Sequence, residues 1–440
     1  MHSSFSWSWI ETEAARVADT WRVCAQRPLP SAPQFTAREQ RKREKVYDCA
    51  MSAAERELDA IPHSRADRLA LQNRLAAVFP PFAAAALGLE CEAIRFIADD
   101  FLPAGVEFAR AARRFDPALA MAEIVQACRN AWTVCGLQPL LNARLHVTPS
   151  IVGYSLLYPY TDNYLDRSDE SSESKRQFCR RFRRRLHGER LPALNDHEAA
   201  IWALVGMIEG EYPRASYAQV FDSLLAIHRA QEESIAQLGG RACRESEILR
   251  ISFAKGGSSV LADACLVRGW LSPSESQISF DWGALLQLGD DLQDVREDLR
   301  RGSATLFTRV VAEGKTLDAL VTQLLNFSHH VGGELDGFAN GSKALKNLLR
   351  MSWRSIIVGA VANAQEFFSA AFLAEIERTS PFRFTILRRR REHLTGCQGL
   401  YARAFNVFVD DPREDNSLTA APQIGPSMMH NSVPLAASQP

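Results

Sequence analysis

The pattern of hydrophobic and polar positions predicts helices along nearly the whole chain. Apolar residues recur every three or four positions in long segments such as 66–79, 118–132 and 217–238, which is the spacing of one buried helix face. Alternating runs typical of strands are essentially absent, and prolines and glycines fall between the helical segments. No repeat with a period of about 20–50 residues is visible, which disfavours a solenoid. We therefore predict an all-α fold.

The two ends of the chain differ from its middle in composition. Residues 1–61 are highly charged and are predicted to form a helical N-terminal extension. Residues 410–440 are rich in Pro, Ser and Ala and contain few large apolar groups, which predicts a disordered tail. The middle, 62–409, is predicted to fold as one all-α domain with a sizeable core.

Composition and charge disfavour several classes of function. The 440-residue chain has a formal net charge of −1, which gives no electrostatic basis for general nucleic-acid binding. Its nine cysteines are scattered without a CxxC pair, which favours reduced thiols in a cytoplasmic protein over a disulfide framework or a zinc site. The N-terminus lacks the features of a secretory signal, and no apolar run approaches the ~20 residues of a spanning helix. Peripheral contact with a membrane is compatible with this composition.

The strongest candidate for chemistry is the acidic segment QLGDDLQDVREDLRRG at 287–302. Asp290, Asp294 and Asp298 recur every fourth residue. Gln287 lies three positions before the first, so a helix would carry all four on one face. A neighbouring stripe of leucine and valine would anchor that helix in the core. Like charges at this spacing repel, so we expect a partner for them. It is either a divalent metal such as Mg²⁺, which prefers carboxylate oxygen, or the solvent and nearby arginines of a charged surface.

A second acidic cluster lies upstream, at the end of an apolar segment. Asp162 and Asp166 are four positions apart and share a helical face, and Asp169 follows if the helix persists that far. Such a pair alone is typical of a solvated helix end, but two clusters in one helical domain could face each other across a cavity. A third acidic pair, Asp99 and Asp100, lacks an acidic partner at helical spacing and is interpreted as exposed or as a cap.

Basic residues complete the candidate site. Arg250 and Lys255 lie in an otherwise apolar segment, directly before Gly256 and Gly257. A helix loosened or broken at the glycines would open onto a cavity and place Lys255 beside a phosphate. The alternative is close helix packing through the glycines, with a lysine that reaches towards solvent. The dense arginine run at 175–185 is interpreted mainly as a solvated surface helix, from which a few side chains could reach inward.

Two acidic motifs on an all-α frame with internal lysine and arginine resemble the class I isoprenoid synthases. The likeness covers roughly 62–409. The segment 287–302 is especially similar to the second acidic motif of squalene and phytoene synthases, and its aspartate spacing also fits the metal triad of terpene cyclases. In register with that motif are Gln287, Asp290, Asp294, Glu297 and Asp298. DNYLD at 162–166 resembles the first motif of phytoene synthases and of tetraprenyl-curcumene-synthase-like bacterial terpene synthases. The stretch around Lys255 is similar to the helix that contacts diphosphate in trans-prenyltransferases.

The resemblance implies a helical bundle around a central apolar cavity, a reaction on a prenyl diphosphate and, by analogy, a homodimer. It implies three Mg²⁺ ions bound with the diphosphate by Asp162, Asp166, Asp169, Asp290, Asp294 and Asp298. It also implies that Lys255, Arg250 and Gln287 contact the diphosphate. Loss of pyrophosphate would leave an allylic carbocation in a dry pocket, where aromatic rings stabilise positive charge. Candidates for these rings, each of which could equally be ordinary core, are Trp132, Tyr154, Tyr158, Tyr160 and Trp282.

Two departures from the family pattern indicate which kind of enzyme within the family this chain resembles most. Head-to-head synthases carry a Tyr-Cys and Val-Ala-Gly signature upstream of the second motif, but this chain has SFAKGGSSVLAD at 252–263. Asn163 stands where chain-elongating enzymes have a second aspartate. We therefore predict a terpene cyclase, with a condensing prenyltransferase of the squalene/phytoene synthase type as the alternative. An alternative from another class is a non-catalytic helical scaffold whose acidic motifs are surface features. A di-iron bundle is discounted because neither motif contains histidine.

Overall fold

A computed structural model describes residues 5–62, 64–166, 170–237, 243–394 and 400–409. Helices dominate these residues and no strand occurs among them, so the predicted all-α class is confirmed. The α-helices are α1 Trp7–Cys24, α2 Ala37–Leu58, α3 Arg65–Phe82, α4 Cys91–Arg95, α5 Leu102–Phe115, α6 Met121–Leu140, α7 Pro149–Asp166, α8 Ser172–Leu186, α9 Asp196–Glu211, α10 Ala218–Ser234, α11 Glu245–Arg268, α12 Pro273–Gln293, α13 Val295–Arg301, α14 Leu306–Ala312, α15 Asp318–Glu334, α16 Lys343–Asn363, α17 Ala370–Arg378, α18 Phe384–Leu394 and α19 Leu400–Val409. Short π-helical turns cover Ala83–Leu87 and Phe96–Phe101, and 3-10 turns cover Ile235–Gln237, Leu335–Gly337 and Gln365–Phe367.

The turn between α11 and α12 follows from local sequence. Helix α11 ends at Gly269, whose φ of 87° lies in the left-handed region that side chains disfavour. Helix α12 begins with a capping box, in which the Ser272 hydroxyl accepts from the Glu275 backbone N–H at 3.3 Å. In return, the Glu275 carboxylate accepts from the Ser272 backbone N–H at 2.8 Å. Pro273 occupies the first helical position, where its missing N–H has no cost. The chain therefore turns within a few residues, and α12 packs along α11.

Glycines set the close approach of α11 and α12, the central helix pair. A Cβ atom on Gly283 would lie 2.0 Å from the Gly256 carbonyl oxygen, and one on Gly256 would lie 2.3 Å from the Gly283 carbonyl oxygen. A Cβ on Gly257 would lie 2.5 Å from the Phe280 ring. Helix α11 runs unbroken through both glycines. The hypothesis of a helix broken at Gly256 and Gly257 is therefore wrong. Of the alternative, helix packing through the glycines is confirmed, whereas Lys255 lines a cavity described below.

The other helices pack around this central pair. Helices α1, α6, α7 and α10 contact α11, α15 and α16 contact α12, and α9 covers α7. Their apolar faces share one large core, which includes the fully buried rings of Phe253, Phe280 and Phe327. The result is a multi-helix bundle, and its assignment to the isoprenoid synthases remains a prediction.

Helix α1 belongs to this core, although residues 1–61 are predicted to form an extension. Ile10 and Val17 are fully buried, and the Trp21 ring packs edge-on against Phe253 and Phe327. The Arg16 guanidinium pairs with the buried Asp281 carboxylate of α12. At least the first helix of the predicted extension is thus integral to the bundle.

Helix α2, also part of residues 1–61, packs outside the large core. Helix α2 contacts α3, α19 and the π turn Ala83–Leu87, and it contributes Tyr47 and Leu58 to two smaller apolar clusters. The domain boundaries after residues 61 and 409 stay predictions, and the predicted disordered tail, 410–440, lies outside the described residues. In the part of the chain that is described, no helix combines the length and the apolar character needed to cross a membrane.

Candidate active site

A cavity of about 430 Å³ lies between α6, α7, α8, α10, α11 and α12. Its lining combines an apolar wall with polar and charged side chains. The wall is formed mainly by Leu157, Leu186, Leu224, Ile227, Val260 and Leu286. Lys255, Gln287 and Asp290, all predicted as site residues, also line it. Because the glycine contact brings α11 and α12 together, residues of the two segments singled out in the sequence lie in one cavity.

Asp290, Asp294 and Asp298 lie on the same side of their segment, although a junction between two helices interrupts it. A single helix is predicted for this segment, but α12 ends at Gln293 and α13 begins at Val295. The Asp294 N–H still donates to the Asp290 carbonyl, and the Asp298 N–H to the Asp294 carbonyl, both at 2.9 Å. The register of one residue in four is therefore retained, and all three carboxylates stay near one another.

The pKa of Asp298 reflects how close these three carboxylates lie to one another. Burial, and then the charges of Asp294 and Asp290, raise the pKa of Asp298 to about 6. Asp290 lines the cavity and pairs with the guanidinium of Arg129 from α6. Asp294 is exposed and lines a neighbouring surface depression with Arg296. The acidic face thus begins inside the cavity and continues to the surface beside it.

Asp291 is a buried carboxyl that the sequence analysis missed. Its carboxyl accepts hydrogen bonds from the Gln287 side-chain amide at 2.8 Å and from the Ser252 hydroxyl at 3.4 Å. Burial raises the pKa of Asp291 to about 7, Asp290 adds to the increase, and the Gln287 bond and Lys255 oppose it. Gln287, predicted to contact diphosphate, therefore holds Asp291. A weak signal was present, because on the helical wheel position 291 falls between the acidic face and the apolar stripe.

Asp162 is the one aspartate of the first acidic motif whose side chain the structure describes. It lies in the last turns of α7, and the Gln231 side-chain amide donates to its Oδ1 at 2.9 Å. Gln231 lines the cavity, as do Tyr154, Leu157 and Thr161 of the preceding turns of α7. Asp166 ends α7, but its side chain lies outside the described part, as does the whole of Asp169.

The predicted basic residues divide between cavity and surface. Lys255 lines the cavity, whereas Arg250 pairs with Glu233 at 2.6 Å. The arginine run at 175–185 lies on α8 and pairs with glutamates of neighbouring segments, as in the Arg181–Glu198 contact at 2.7 Å. The run is therefore mainly a neutralised surface. Arg129, which the sequence analysis did not select, brings a second cation to the cavity.

The predicted aromatic residues divide in the same way. Trp132 and Tyr154 line the cavity, together with Phe182, which was not predicted. The Tyr160 hydroxyl instead donates to Asp116 at 2.6 Å, and the Trp282 ring packs on Trp353. The Tyr158 side chain lies outside the described part. Of the two alternatives, cavity lining therefore applies to Trp132 and Tyr154, and ordinary core to Tyr160 and Trp282.

The donor set suits Mg²⁺ in its chemistry, although the described residues form no closed metal cage. Within the described ranges, no group of three or more His, Cys, Asp or Glu side chains is positioned to hold a metal ion. Mg²⁺ is commonly held by one or two carboxylates, completed by water and substrate phosphate, so a closed protein cage is not required. The carboxylates of Asp290, Asp294 and Asp298 fit that mode, and Asp162 reaches the same cavity through Gln231.

Comparison of the chain with protein-family models, with curated protein sequences and with solved structures finds no match. The geometry of this cavity and its residues are therefore the basis for assigning a function.

Proposed function

We propose that this protein is a class I terpene synthase. It would ionise an allylic prenyl diphosphate with Mg²⁺, cyclise the resulting carbocation and release pyrophosphate. The observation that carries the proposal is the cavity, in which Arg129, Lys255 and Asp290 accompany apolar and aromatic walls. A pocket divided in this way suits a ligand with a charged head and an apolar tail.

The polar end supports departure of a diphosphate group. Arg129 and Lys255 supply two positive charges, and charge that grows on the leaving oxygen is stabilised by cations already in position. In the unliganded arrangement Arg129 pairs with Asp290. A phosphate group would compete for that guanidinium, because arginine binds phosphate as a bidentate donor. The pair would then separate and leave the Asp290 carboxylate available.

The acidic residues are the proposed holders of Mg²⁺. Asp290, Asp294, Asp298 and Asp162 would bind it, with Asp166 assigned from the sequence alone. When bound, Mg²⁺ would neutralise diphosphate charge and polarise the bond to the leaving group. Asp291 does not need to bind metal in this scheme. Its hydrogen bond from Gln287 fixes the turn of α12 that carries Asp290.

The walls of the cavity support the carbocation steps. Leucine, isoleucine and valine side chains keep water away from a cation that water would trap as an alcohol. The rings of Trp132, Tyr154 and Phe182 offer electron-rich faces to positive charge. The tail of the substrate would therefore fold against α6, α7 and α8 while its head is held between α6, α11 and α12.

The test is pyrophosphate release by the purified full chain from C10, C15, C20 and C25 allylic diphosphates, with Mg²⁺ or with EDTA. Hydrocarbon extracts are analysed by gas chromatography–mass spectrometry. We expect Mg²⁺-dependent release and a cyclic product, and a loss of about a hundredfold or more in Asp290→Asn and Asp294→Asn. Asp99→Asn is the matched control, because Asp99 is an exposed aspartate away from the cavity lining.

Each other result has a distinct meaning. A linear product built from two substrate molecules would identify a condensing prenyltransferase. No pyrophosphate release from any substrate would favour the hypothesis of a non-catalytic helical scaffold. Release that is equally fast in EDTA would show that the acidic residues have another role.

A further inference from the structure

A buried carboxyl group, Asp263, lies on the cavity wall away from the proposed diphosphate end. It is on α11, eight residues beyond Lys255, which corresponds to about 12 Å along the helix axis. Gly256, Ser259, Val260 and Asp263 have the spacing of one helical face, and all four line the cavity. One face of α11 therefore carries a cation towards one end of the cavity and an acid towards the other.

Asp263 lacks a hydrogen-bond partner within the described ranges. Its side chain is 1% exposed, and its Oδ1 atom accepts no hydrogen bond from a described residue. The nearby Tyr154 hydroxyl donates elsewhere, to the Ser259 carbonyl at 3.1 Å. Buried polar groups in native proteins are almost always hydrogen-bonded, and Asp263 is, among the described residues, an exception that lines the cavity.

The surroundings favour the neutral form of this carboxyl group. Burial alone raises the pKa of Asp263 well above its usual range. The titratable groups that face it are Tyr154 on α7 and Cys135 on α6. Burial and Asp263 raise the pKa of Tyr154, and burial, Glu107 and Asp263 raise that of Cys135 to about 12. Among the described residues, no charged side chain of another packed helix contributes to the pKa of Asp263.

Ser258 offers a comparison on the same helix. It is fully buried, and its hydroxyl also lacks a hydrogen-bond partner in the described part of the chain. Ser258 does not belong to the cavity lining, whereas Asp263 does. Burial and a missing partner are therefore common to both residues, and the position of Asp263 on the cavity wall distinguishes it.

We propose that the Asp263 end of the cavity is a binding site for an apolar cation. The ligand class is a positive charge on carbon or nitrogen within an aliphatic skeleton, which the apolar walls cover while the carboxyl group faces the charge. As the cation binds, the Asp263 O–H bond breaks, its electron pair stays on the carboxylate oxygen, and the proton passes to the solvent buffer. In turnover, a role that rests on the proposed function, Asp263 would determine where the carbocation comes to rest and hence which product forms.

The experiment uses decyltrimethylammonium and its uncharged tert-butyl isostere, titrated into the full chain without Mg²⁺. Calorimetry in two buffers of different ionisation enthalpy reports proton release. We expect wild type to release close to one proton per bound cation. We expect Asp263→Asn to bind the cation about tenfold or more weakly, without proton release. The isostere should not distinguish the two proteins, and Ser258→Ala should behave as wild type.

The wild-type proton count keeps the test valid even if Asp263→Asn does not fold. Cation binding without proton release, or equal affinity in Asp263→Asn, would overturn the proposal. Product analysis then separates it from the proposed function. If wild type releases no pyrophosphate but binds the cation as expected, the terpene synthase proposal fails and the cation site stands. If wild type turns over and Asp263→Asn yields the same product, Asp263 does not determine where the carbocation rests.

Discussion

Replacement of Gly283 by alanine tests the packing that forms the cavity. The added Cβ would lie 2.0 Å from the Gly256 carbonyl oxygen, 2.7 Å from its carbonyl carbon and 3.0 Å from the Gly257 Cα. Ordinary contacts begin near 3.4 Å, so the closest approach is short by more than 1 Å. All three atoms belong to the backbone of α11. A side chain could rotate away, but here the two central helices must separate.

The cost follows from that geometry. Overpacking a core costs about 1–3 kcal/mol when side chains can adjust, and a clash with helical backbone should reach about 3 kcal/mol or more. Gly206→Ala is the matched control, because a Cβ on this α9 glycine would meet nothing within 4 Å. Alanine is favoured over glycine in a helix by about 0.5–1 kcal/mol. The same substitution should therefore destabilise the protein at position 283 and slightly stabilise it at position 206.

The measurement is the thermal unfolding midpoint of wild type and both variants, followed by circular dichroism at 222 nm. We expect Gly283→Ala to melt several degrees below wild type and Gly206→Ala to melt at or slightly above it. Pyrophosphate release by the folded fraction provides a second readout, since α12 carries Asp290 past the Lys255 segment. If Gly283→Ala melts at the same temperature as wild type, the close approach of α11 and α12 is wrong. The cavity that depends on this approach would then be wrong as well.

Three further predictions address charges. Arg16→Leu removes the cation that pairs with the buried Asp281 and should lower the free energy of unfolding by about 3 kcal/mol. Arg16→Lys keeps the charge and should lower it less. Equal melting temperatures of the two variants would contradict this reasoning. The raised pKa of Asp263 means that the folded state prefers the protonated acid. The unfolded chain releases this proton above about pH 4, so the free energy of unfolding of wild type decreases as the pH rises further. The melting temperature of Asp263→Asn relative to wild type should therefore increase between pH 5 and pH 8, and a constant difference would count against burial as the cause. Arg129→Gln should lower kcat/KM for pyrophosphate release by about a hundredfold, and a change below twofold would remove Arg129 from the diphosphate end.

Local sequence patterns predicted the features that depend on helical spacing. The all-α class follows from apolar periodicity, and the shared side of Asp290, Asp294 and Asp298 follows from their interval of four. The cavity position of Lys255 could be anticipated because it is a lone cation in an apolar segment. Asp291 could have been considered as well, since a wheel places it at the border between the acidic face and the leucines that anchor α12.

Features that depend on distant partners could not be predicted in this way. Arg129 reaches Asp290 from another helix, far away in sequence, and nothing around it singles it out from other surface arginines. The two glycines of α11 suggested either a break or a close contact, and the choice depended on Gly283, which lies beyond the next turn. The helix junction at Asp294, with φ of −98° and ψ of 7°, leaves the predicted face intact but ends α12 earlier than the periodicity suggests.

The burial of helix α1 has a consequence for how the chain is made. Trp21 packs against Phe253 and Phe327, and the Gln323 side-chain amide donates to the Trp21 carbonyl at 2.8 Å. Helix α1 is therefore synthesised about 230–300 residues before these partners, which at about 5–20 residues per second means on the order of 12–60 s. During that time its apolar face has no native cover. Translation speed and chaperone contact with α1 should accordingly govern the yield of folded protein more than they would if this helix packed against its neighbours in sequence.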